Sequence, residues 1–245
     1  MSSVSKLIFV IFVTLYPLHA DVIGGGATLG FFSHDPDGDA SYQGTSANLN
    51  DTFGFNEKQD IFLKAYLEHP LPLLPNIKLG YTALSHEGSS NVDDFTWGDI
   101  VNYSGSIDSR LSLDFTDVTL YYELLDNWAE VDAGLTFRYI CGDMGVHSTD
   151  ESDSVDFTAW IPMLYGKVRF NMPVTNLSLQ IEANAISYWD VTTYDYELSA
   201  RYTVLMGLGL EAGYKALHLN SDELVDGFNA DIGFSGPYAA VIWDF

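Results

Sequence analysis

The stretch of residues 129–139 reads AEVDAGLTFRY and decides the fold class. Every odd-numbered position in it is apolar or aromatic, whereas the even-numbered positions are Glu130, Asp132, Gly134, Thr136 and Arg138. Successive side chains of a β-strand point to opposite faces, so this alternation predicts a strand with one apolar and one polar face. An α-helix would distribute both sets around its whole circumference. The stretch is therefore interpreted as an amphipathic strand.

The same alternation recurs along the chain and predicts a protein built of strands. Two further segments are less regular. In residues 111–123 the apolar positions switch from odd to even, which predicts a β-bulge near Phe115 or Thr116. In residues 157–170 the pattern is interrupted by Pro162, which cannot donate to a ladder. A first strand, a last strand and the internal ones give about ten, with eight or twelve as alternatives. The segments with regular alternation are residues 60–68, 77–86, 177–188, 194–203 and 208–216.

Short and long connections alternate strictly between these strands. This is the topology of an outer-membrane barrel, with short periplasmic turns on one side and long external loops on the other. The long connections are also rich in Asp and Glu. We therefore expect an all-β fold, a single closed antiparallel up-and-down transmembrane β-barrel with acidic external loops. The short connections are residues 69–76, 124–128, 171–176 and 204–206; the external ones are 33–59, 87–110, 141–156 and 219–227, with a tighter one at 189–192.

The N-terminal segment has the order of a secretory signal peptide. Lys6 precedes an apolar run over residues 7–15, and the segment closes at Ala20 before Asp21. The apolar run is well below the roughly 20 residues that cross a bilayer as a helix. We expect cleavage after Ala20, so that residues 1–20 are a signal peptide and residues 21–245 form the exported barrel in the bacterial outer membrane.

Composition excludes several classes of function. The chain has 10 Lys and Arg against 34 Asp and Glu, a net charge of −24, so nucleic acid would be repelled. Cys141 is the only cysteine, which rules out an internal disulfide framework and a cysteine-rich metal site. With 47% hydrophobic and only 18% charged residues, the chain is expected to fold. We expect no cofactor.

Several short segments together resemble one protein family. They are the glycine cluster of residues 24–26 with Gly30, the residues 121–123 leading into Asp126 and Asn127, and the ending of residues 236–245. The chain resembles the small Gram-negative outer-membrane β-barrel proteins with a Gly-Gly near the mature N-terminus. The resemblance implies the fold and the location, but no activity. It also implies that barrel-assembly machinery reads the terminal Trp243 and Phe245, with periplasmic chaperones, lipid and lipopolysaccharide as further partners.

Charged residues of both signs fall on the polar parity of the strands, which would face the lumen. Opposite charges inside a narrow barrel tend to pair, because an unpaired buried charge is costly. We therefore expect a narrow or plugged monomeric barrel with an envelope or structural role. The alternative is a small cation-preferring channel or a small-solute-binding barrel. The expected lumen network contains Lys64, Lys78, Arg138, Lys167, Arg169, Arg201 and Lys215 with Glu130, Asp132, Glu182, Glu197 and Glu211.

A metal site has weak candidates in Asp35, Asp37 and Asp39. Carboxylates at alternate positions are oxygen ligands suited to Ca²⁺, but the segment lacks the EF-hand pattern, since Ser46 stands where a bidentate Glu is needed. The favoured interpretation is a flexible acidic turn. The alternative is weak binding of divalent cations that bridge to lipopolysaccharide.

Catalysis is not expected from this sequence. His34, His86 and His147 each lie near a carboxylate in the chain, but no spacing matches a nucleophile motif. An outer-membrane enzyme therefore remains a minor alternative. A secreted β-sandwich lectin is the best soluble alternative, and it would bury its apolar faces between two sheets.

Overall fold

The computed structural model describes residues 23–71, 73–188, 191–225 and 227–245. Eleven strands form one antiparallel sheet. No helix in these ranges is long and apolar enough to cross a membrane. The strands are β1 Gly24–Tyr42, β2 Ala47–Asn48, β3 Lys58–Glu68, β4 Asn76–Trp97, β5 Ile100–Asp126, β6 Ala129–His147, β7 Ser152–Asn171, β8 Leu177–Tyr188, β9 Val191–Leu205, β10 Leu208–Val225 and β11 Phe228–Asp244.

The sheet closes on itself. From β3 to β11 each strand pairs with the next in the chain, and β1 pairs with both β3 and β11. The closing ladder runs from Gly26 opposite Asp244 to Tyr42 opposite Phe228. The Gly25 N–H donates to the Phe245 carbonyl at 3.0 Å, and the Phe245 N–H donates back at 2.8 Å. The predicted closed up-and-down barrel is confirmed, with ten long strands and the two-residue β2, which pairs with β1 in the same sheet.

The glycine cluster near the start of β1 makes this closure possible. A Cβ at Gly26 would lie 2.6 Å from the Tyr66 ring and 2.9 Å from the Trp243 carbonyl oxygen, which belongs to the backbone of the closing strand. Both distances are too short for a methyl group without movement of the neighbours. Glycine therefore lets β1 fit between β3 and the chain end.

Exposed apolar side chains form a continuous belt around the outside. The belt begins at the end with the tight turns, where Trp128 and Phe170 are exposed, and rises to the level of Tyr81, Trp160 and Tyr194. Aromatic residues thus stand at both borders of the belt, as they do at the two interfaces of a membrane. Between the borders the exposed apolar side chains include Leu29, Ile61, Leu63, Leu79, Leu120, Leu135, Phe137, Leu164, Leu179, Ile181, Leu198, Leu208, Leu210 and Val241.

Strand β5 runs through the belt without the predicted bulge. Leu111, Leu113 and Phe115 are buried, whereas Leu120 and Tyr122 on the opposite parity are exposed. The pairing of β5 with β6 is nevertheless continuous from Asp108 to Glu123. The bulge prediction is wrong, because the alternation of side chains between the two faces continues without a break. What changes along β5 is the environment of each face. Inside the belt the apolar side chains point outward, and beyond it they point inward.

Beyond the belt, the segments expected to be irregular loops are mostly strand. β4 and β5 continue to Trp97 and Ile100, and β6 and β7 continue to His147 and Ser152. Their outer faces are polar and their inner faces apolar, so each strand remains amphipathic with the faces exchanged. This inward apolar surface requires a cover at the external end of the barrel.

The cover is the connection between β1 and β3, which we call the plug segment, residues 43–57. Leu49, Phe53 and Phe55 of this segment are at most 1% exposed. The Phe53 ring packs edge-on against Trp97, with 5.2 Å between centroids. The Ser90 hydroxyl also hydrogen-bonds to the Thr52 carbonyl. The plug segment thus lies between the edge of β1, where Leu49 N–H donates to the Gly38 carbonyl, and the edge of β4, and its apolar side chains complete a core at the external end.

Pro162 interrupts one ladder of β7 but not the other. Pairing with β6 continues through Pro162, which lies opposite Phe137. The ladder with β8 ends at Leu164 opposite Ala185. Proline is tolerated at a strand edge because its missing N–H leaves no ladder bond unmade.

Candidate functional site

The lumen network is the largest polar feature inside the barrel. All seven bases expected there lie on the inner wall, on β3, β4, β6, β7, β9 and β10. Each has a carboxylate oxygen within 4.0 Å. The acids that pair with them are Asp117, Glu130, Asp132, Glu182, Asp195, Glu197, Glu211 and Asp244.

Two glutamates form the centre of this network. Glu182 pairs with Lys64 at 3.2 Å and also with Lys78. Glu197 pairs with Lys215 at 3.2 Å and also with Lys64. The side chains of both glutamates are less than 10% exposed. Three cations therefore share two carboxylates across strands that are far apart in the sequence.

Arg138 forms the next layer toward the external end. Its guanidinium donates to both carboxylate oxygens of Asp117, at 2.8 and 2.7 Å, and lies 2.7 Å from an oxygen of Asp195. Asn184 donates to Asp195 at 3.0 Å and accepts from Thr136 at 2.6 Å. This bidentate arrangement is specific to arginine.

The layer near the tight turns contains the remaining pairs. Lys167 lies 2.5 Å from Asp132, and Arg169 lies 3.0 Å from Glu130. Arg201 lies 3.0 Å from Glu211 on the neighbouring strand. These pairs couple β6 to β7 and β9 to β10.

Several partners in the network were not expected from sequence patterns. Asp244 pairs with Arg201 at 3.2 Å and accepts a hydrogen bond from Tyr66 at 2.8 Å. The Tyr238 hydroxyl donates to Glu211 at 2.6 Å. The inward parity of Tyr66 and Tyr238 is the sequence signal that identifies them, since tyrosine fits either face of a membrane strand.

The packing of the network leaves little free space. Two cavities in this part of the lumen have volumes of about 30 Å³ each, which is room for one or two water molecules. Toward the external end, an apolar layer that includes Phe32, Leu84 and Leu113 lies above the network. Every base of the network is paired with a carboxylate. The network can therefore stabilise the barrel wall and block the passage of solutes.

The three histidines separate into two environments. His34 and His86 meet inside the external end, where His34 Nε2 lies 3.2 Å from the Asp60 carboxylate. His147 lies exposed on the outer face of β6. Ser85 donates to Asp60 at 3.2 Å, so this serine contacts the acid and not an imidazole. The group therefore lacks the serine-to-histidine contact of a nucleophilic triad.

The three candidate metal ligands lie on a strand and not in a turn. Asp35, Asp37 and Asp39 alternate along the exposed outer face of β1, opposite Ser235, Gly233 and Asp231 of β11. The expected acidic turn is therefore corrected, because pairing with β11 extends the strand through this segment. Extended backbone separates alternate carboxylates by about 6.6 Å along the strand. Within the described residues no group of three metal-ligating side chains converges.

The two terminal aromatic residues lie at the closing seam. The rings of Trp243 and Phe245 are 4.8 Å apart. Phe245 is half exposed at the border of the belt and bonds through its backbone to Gly25. The role of these residues as an assembly signal stays a prediction.

Comparison with known proteins gives distant similarities in solved structures. No protein-family model matches the chain. No curated protein matches it either. The translocator domain of the autotransporter NalP from Neisseria meningitidis is similar at a TM-score of 0.43 and 11% identity, covering 98% of this chain and 94% of that one. The attachment invasion locus protein Ail of Yersinia pestis is similar at 0.40 and 8% identity, covering 91% and 99%. The transport unit of AIDA-I from Escherichia coli is similar at 0.39 and 12% identity, covering 98% and 95%. Similarity this distant supports no inference about function.

Proposed function

We propose that this chain is an integral outer-membrane β-barrel protein of a Gram-negative envelope, with a sealed lumen and a structural role. The observation that carries the proposal is the continuous exposed apolar belt with aromatic borders. A water-soluble protein rarely exposes so large a contiguous apolar surface. A closed barrel pairs neighbouring strands around the ring and so leaves no open sheet edge in lipid. Lipid is therefore the solvent that fits the outside of this barrel.

The distribution of charge supports the same proposal. Lys64, Glu182 and Glu197 lie inside the barrel at the height where Leu63, Ile181 and Leu198 lie outside. A secreted β-sandwich would place its apolar faces between the sheets and its charges outside. The observed arrangement is the reverse at the level of the belt, and it disfavours the lectin alternative.

The partners included in the proposal follow from this location. They are outer-membrane lipid and lipopolysaccharide, barrel-assembly machinery and periplasmic chaperones, and the expected state is a monomer without enzymatic activity. Export through residues 1–20 is part of the proposal, although that segment lies outside the described residues. Membership of the family with a Gly-Gly near the mature N-terminus is also proposed. It is supported by Gly25 and Gly26, which let β1 pack closely between β3 and β11 where the barrel closes.

The first prediction concerns conductance. Refolded protein in a planar lipid bilayer is expected to give no conductance steps, because the ion-paired network and the apolar layer at the external end lie in series along the lumen. The recording is made at about neutral pH in low and high salt, since salt screens exposed charges but barely affects buried pairs. Regular cation-selective steps would contradict the sealed lumen and favour the channel alternative.

The second prediction concerns the chain end. Deletion of Phe245 is expected to reduce the amount of barrel in the outer membrane, because it removes the two backbone hydrogen bonds to Gly25 and the terminal aromatic ring. The measurement is the folded yield in outer-membrane fractions. Deletion is compared with Phe245→Tyr, which keeps both the backbone and a ring. Equal yields for the deletion and the parent chain would rule out the assembly signal.

A further inference from the structure

A chain of hydrogen bonds joins the plug segment to the barrel wall through two buried histidines. His86 Nδ1 lies 3.1 Å from the carbonyl oxygen of Asn56 in the plug segment. His86 Nε2 lies 3.1 Å from His34 Nδ1. His34 Nε2 in turn lies 3.2 Å from the Asp60 carboxylate. Both histidines are at most 1% exposed, so water cannot replace these contacts.

The number of protons in this chain is fixed by its contacts. The Asn56 carbonyl and the ionised Asp60 carboxylate are acceptors, so each needs an N–H from an imidazole. The contact between the two rings needs one more N–H. Three contacts require three protons, whereas two neutral imidazoles carry two. The neutral pair therefore satisfies the Asn56 carbonyl and the Asp60 carboxylate, one added proton completes the contact between the rings, and a second added proton would set two N–H groups against each other.

The surroundings oppose further protonation of the pair. The aromatic rings of Phe55 and Phe234 pack against His86, and Phe32 and Phe234 pack against His34. Asp60 is the favourable charge facing the pair, whereas Lys58 and Lys215 repel an added proton.

Both rings lie beyond the belt, and the pKa of each is lowered. Burial in the apolar mouth, followed by repulsion from His34, lowers the pKa of His86 to about 4. Burial also lowers the pKa of His34, against the opposing attraction of Asp60. A released segment would expose both rings to water, where their pKa is about 6.5. As the pH falls from about 6.5 toward 4, the released state binds more protons than the docked state, so docking loses stability in that range.

We propose that His34 and His86 form a pH-sensitive latch that holds the plug segment at the external end of the barrel at neutral pH and releases it in acid. The latch goes beyond the structural role proposed above, because it gives the barrel a conformational response to external pH. Release exposes the side of the wall that Phe53 and Phe55 cover. The conformational element is local, since the lumen network lies below the latch and is paired by other residues.

The latch is tested with a spin label at position 51, where Asp51 is exposed on the plug segment. The label is attached to Asp51→Cys in a Cys141→Ser background, and the protein is reconstituted in bilayers. The nitroxide line shape is recorded from about pH 7.5 to about pH 3.5, a range that extends below the pKa of about 4 for His86. The expected result is a restricted label at neutral pH that becomes mobile with a midpoint between about 4 and 6.5.

Variants assign the transition to the pair. His86→Gln alone, and together with His34→Gln, is expected to abolish the pH-dependent change. His218→Gln, on the outer face of β10 beside Tyr194, is the matched control and should keep it. Heat-modifiable migration on a gel reports folding of each variant.

Two results would overturn the latch. One is an unchanged line shape of the parent protein over the whole pH range, which needs no variant. The other is a transition of the same midpoint in folded His86→Gln, which would assign the change to carboxylates. Neither result bears on the membrane location, which the gel shift and detergent requirement report separately.

Discussion

Leu135→Arg is expected to destabilise the folded barrel in lipid by about 2 to 4 kcal/mol. Leu135 is 46% exposed, on the outer face of β6 between Leu120 and Leu164 of the neighbouring strands. An arginine there would place a charge against hydrocarbon near the middle of the belt, where it has no partner on the outer face. Reversible denaturant unfolding of protein refolded into vesicles measures the loss.

The control for this change is His147→Arg. His147 is on the same strand and the same outer face but lies beyond the belt, opposite Asp108 of β5. The same side chain there meets water and a carboxylate, so the expected effect is within about 0.5 kcal/mol. Equal losses for the two arginines would show that lipid does not cover the face around Leu135.

Glu182→Gln is the second change with a large expected effect, a loss of about 3 to 5 kcal/mol in the free energy of unfolding. Glutamine keeps the shape of the side chain but removes the charge that Lys64 and Lys78 share. Both lysines would remain in a packed lumen with a reduced number of counter-charges. The same unfolding assay applies, and a double variant with Lys78→Met should recover part of the loss.

The matched control is Asp143→Asn. Asp143 pairs with Arg110 at 2.7 Å on the outer face beyond the belt, and the Arg110 side chain is 65% exposed. Exposed pairs are worth less than about 1 kcal/mol, because water already solvates both charges. If Glu182→Gln costs no more than Asp143→Asn, the network does not stabilise the barrel.

Sequence patterns predicted the strands and the inner face of the barrel from local information. Residues 129–139 form part of β6 with the expected parity, and Lys64 and Arg201 point inward as their positions in the alternation require. The face to which a side chain points can be predicted locally, because it depends only on which positions along one strand are apolar. The partner of a charged side chain lies on another strand, so only the folded barrel shows that Lys64 and Lys78 both pair with Glu182.

The external half of the barrel was not predicted for a physical reason. An apolar side chain in a strand faces whichever side lacks water, and that side changes where the belt ends. The apolar positions change from odd to even between Phe115 and Val118 because the belt ends there. A β-bulge would give the same pattern in the sequence. The plug segment and the His34–His86 contact depend on a fold-back over 52 residues, which no periodicity encodes.

The most direct test of lipid contact is an accessibility scan along β5. Single cysteines at successive positions from 109 to 122, in a Cys141→Ser background, carry nitroxide labels in bilayers, and collisions with oxygen and with a water-soluble nickel complex are compared. Preferential contact with oxygen is expected at positions 118, 120 and 122, preferential contact with nickel at positions 110 and 112, and little contact with either at the odd positions. Preferential nickel contact at positions 118, 120 and 122 would show water on the outside of the belt and would contradict the account.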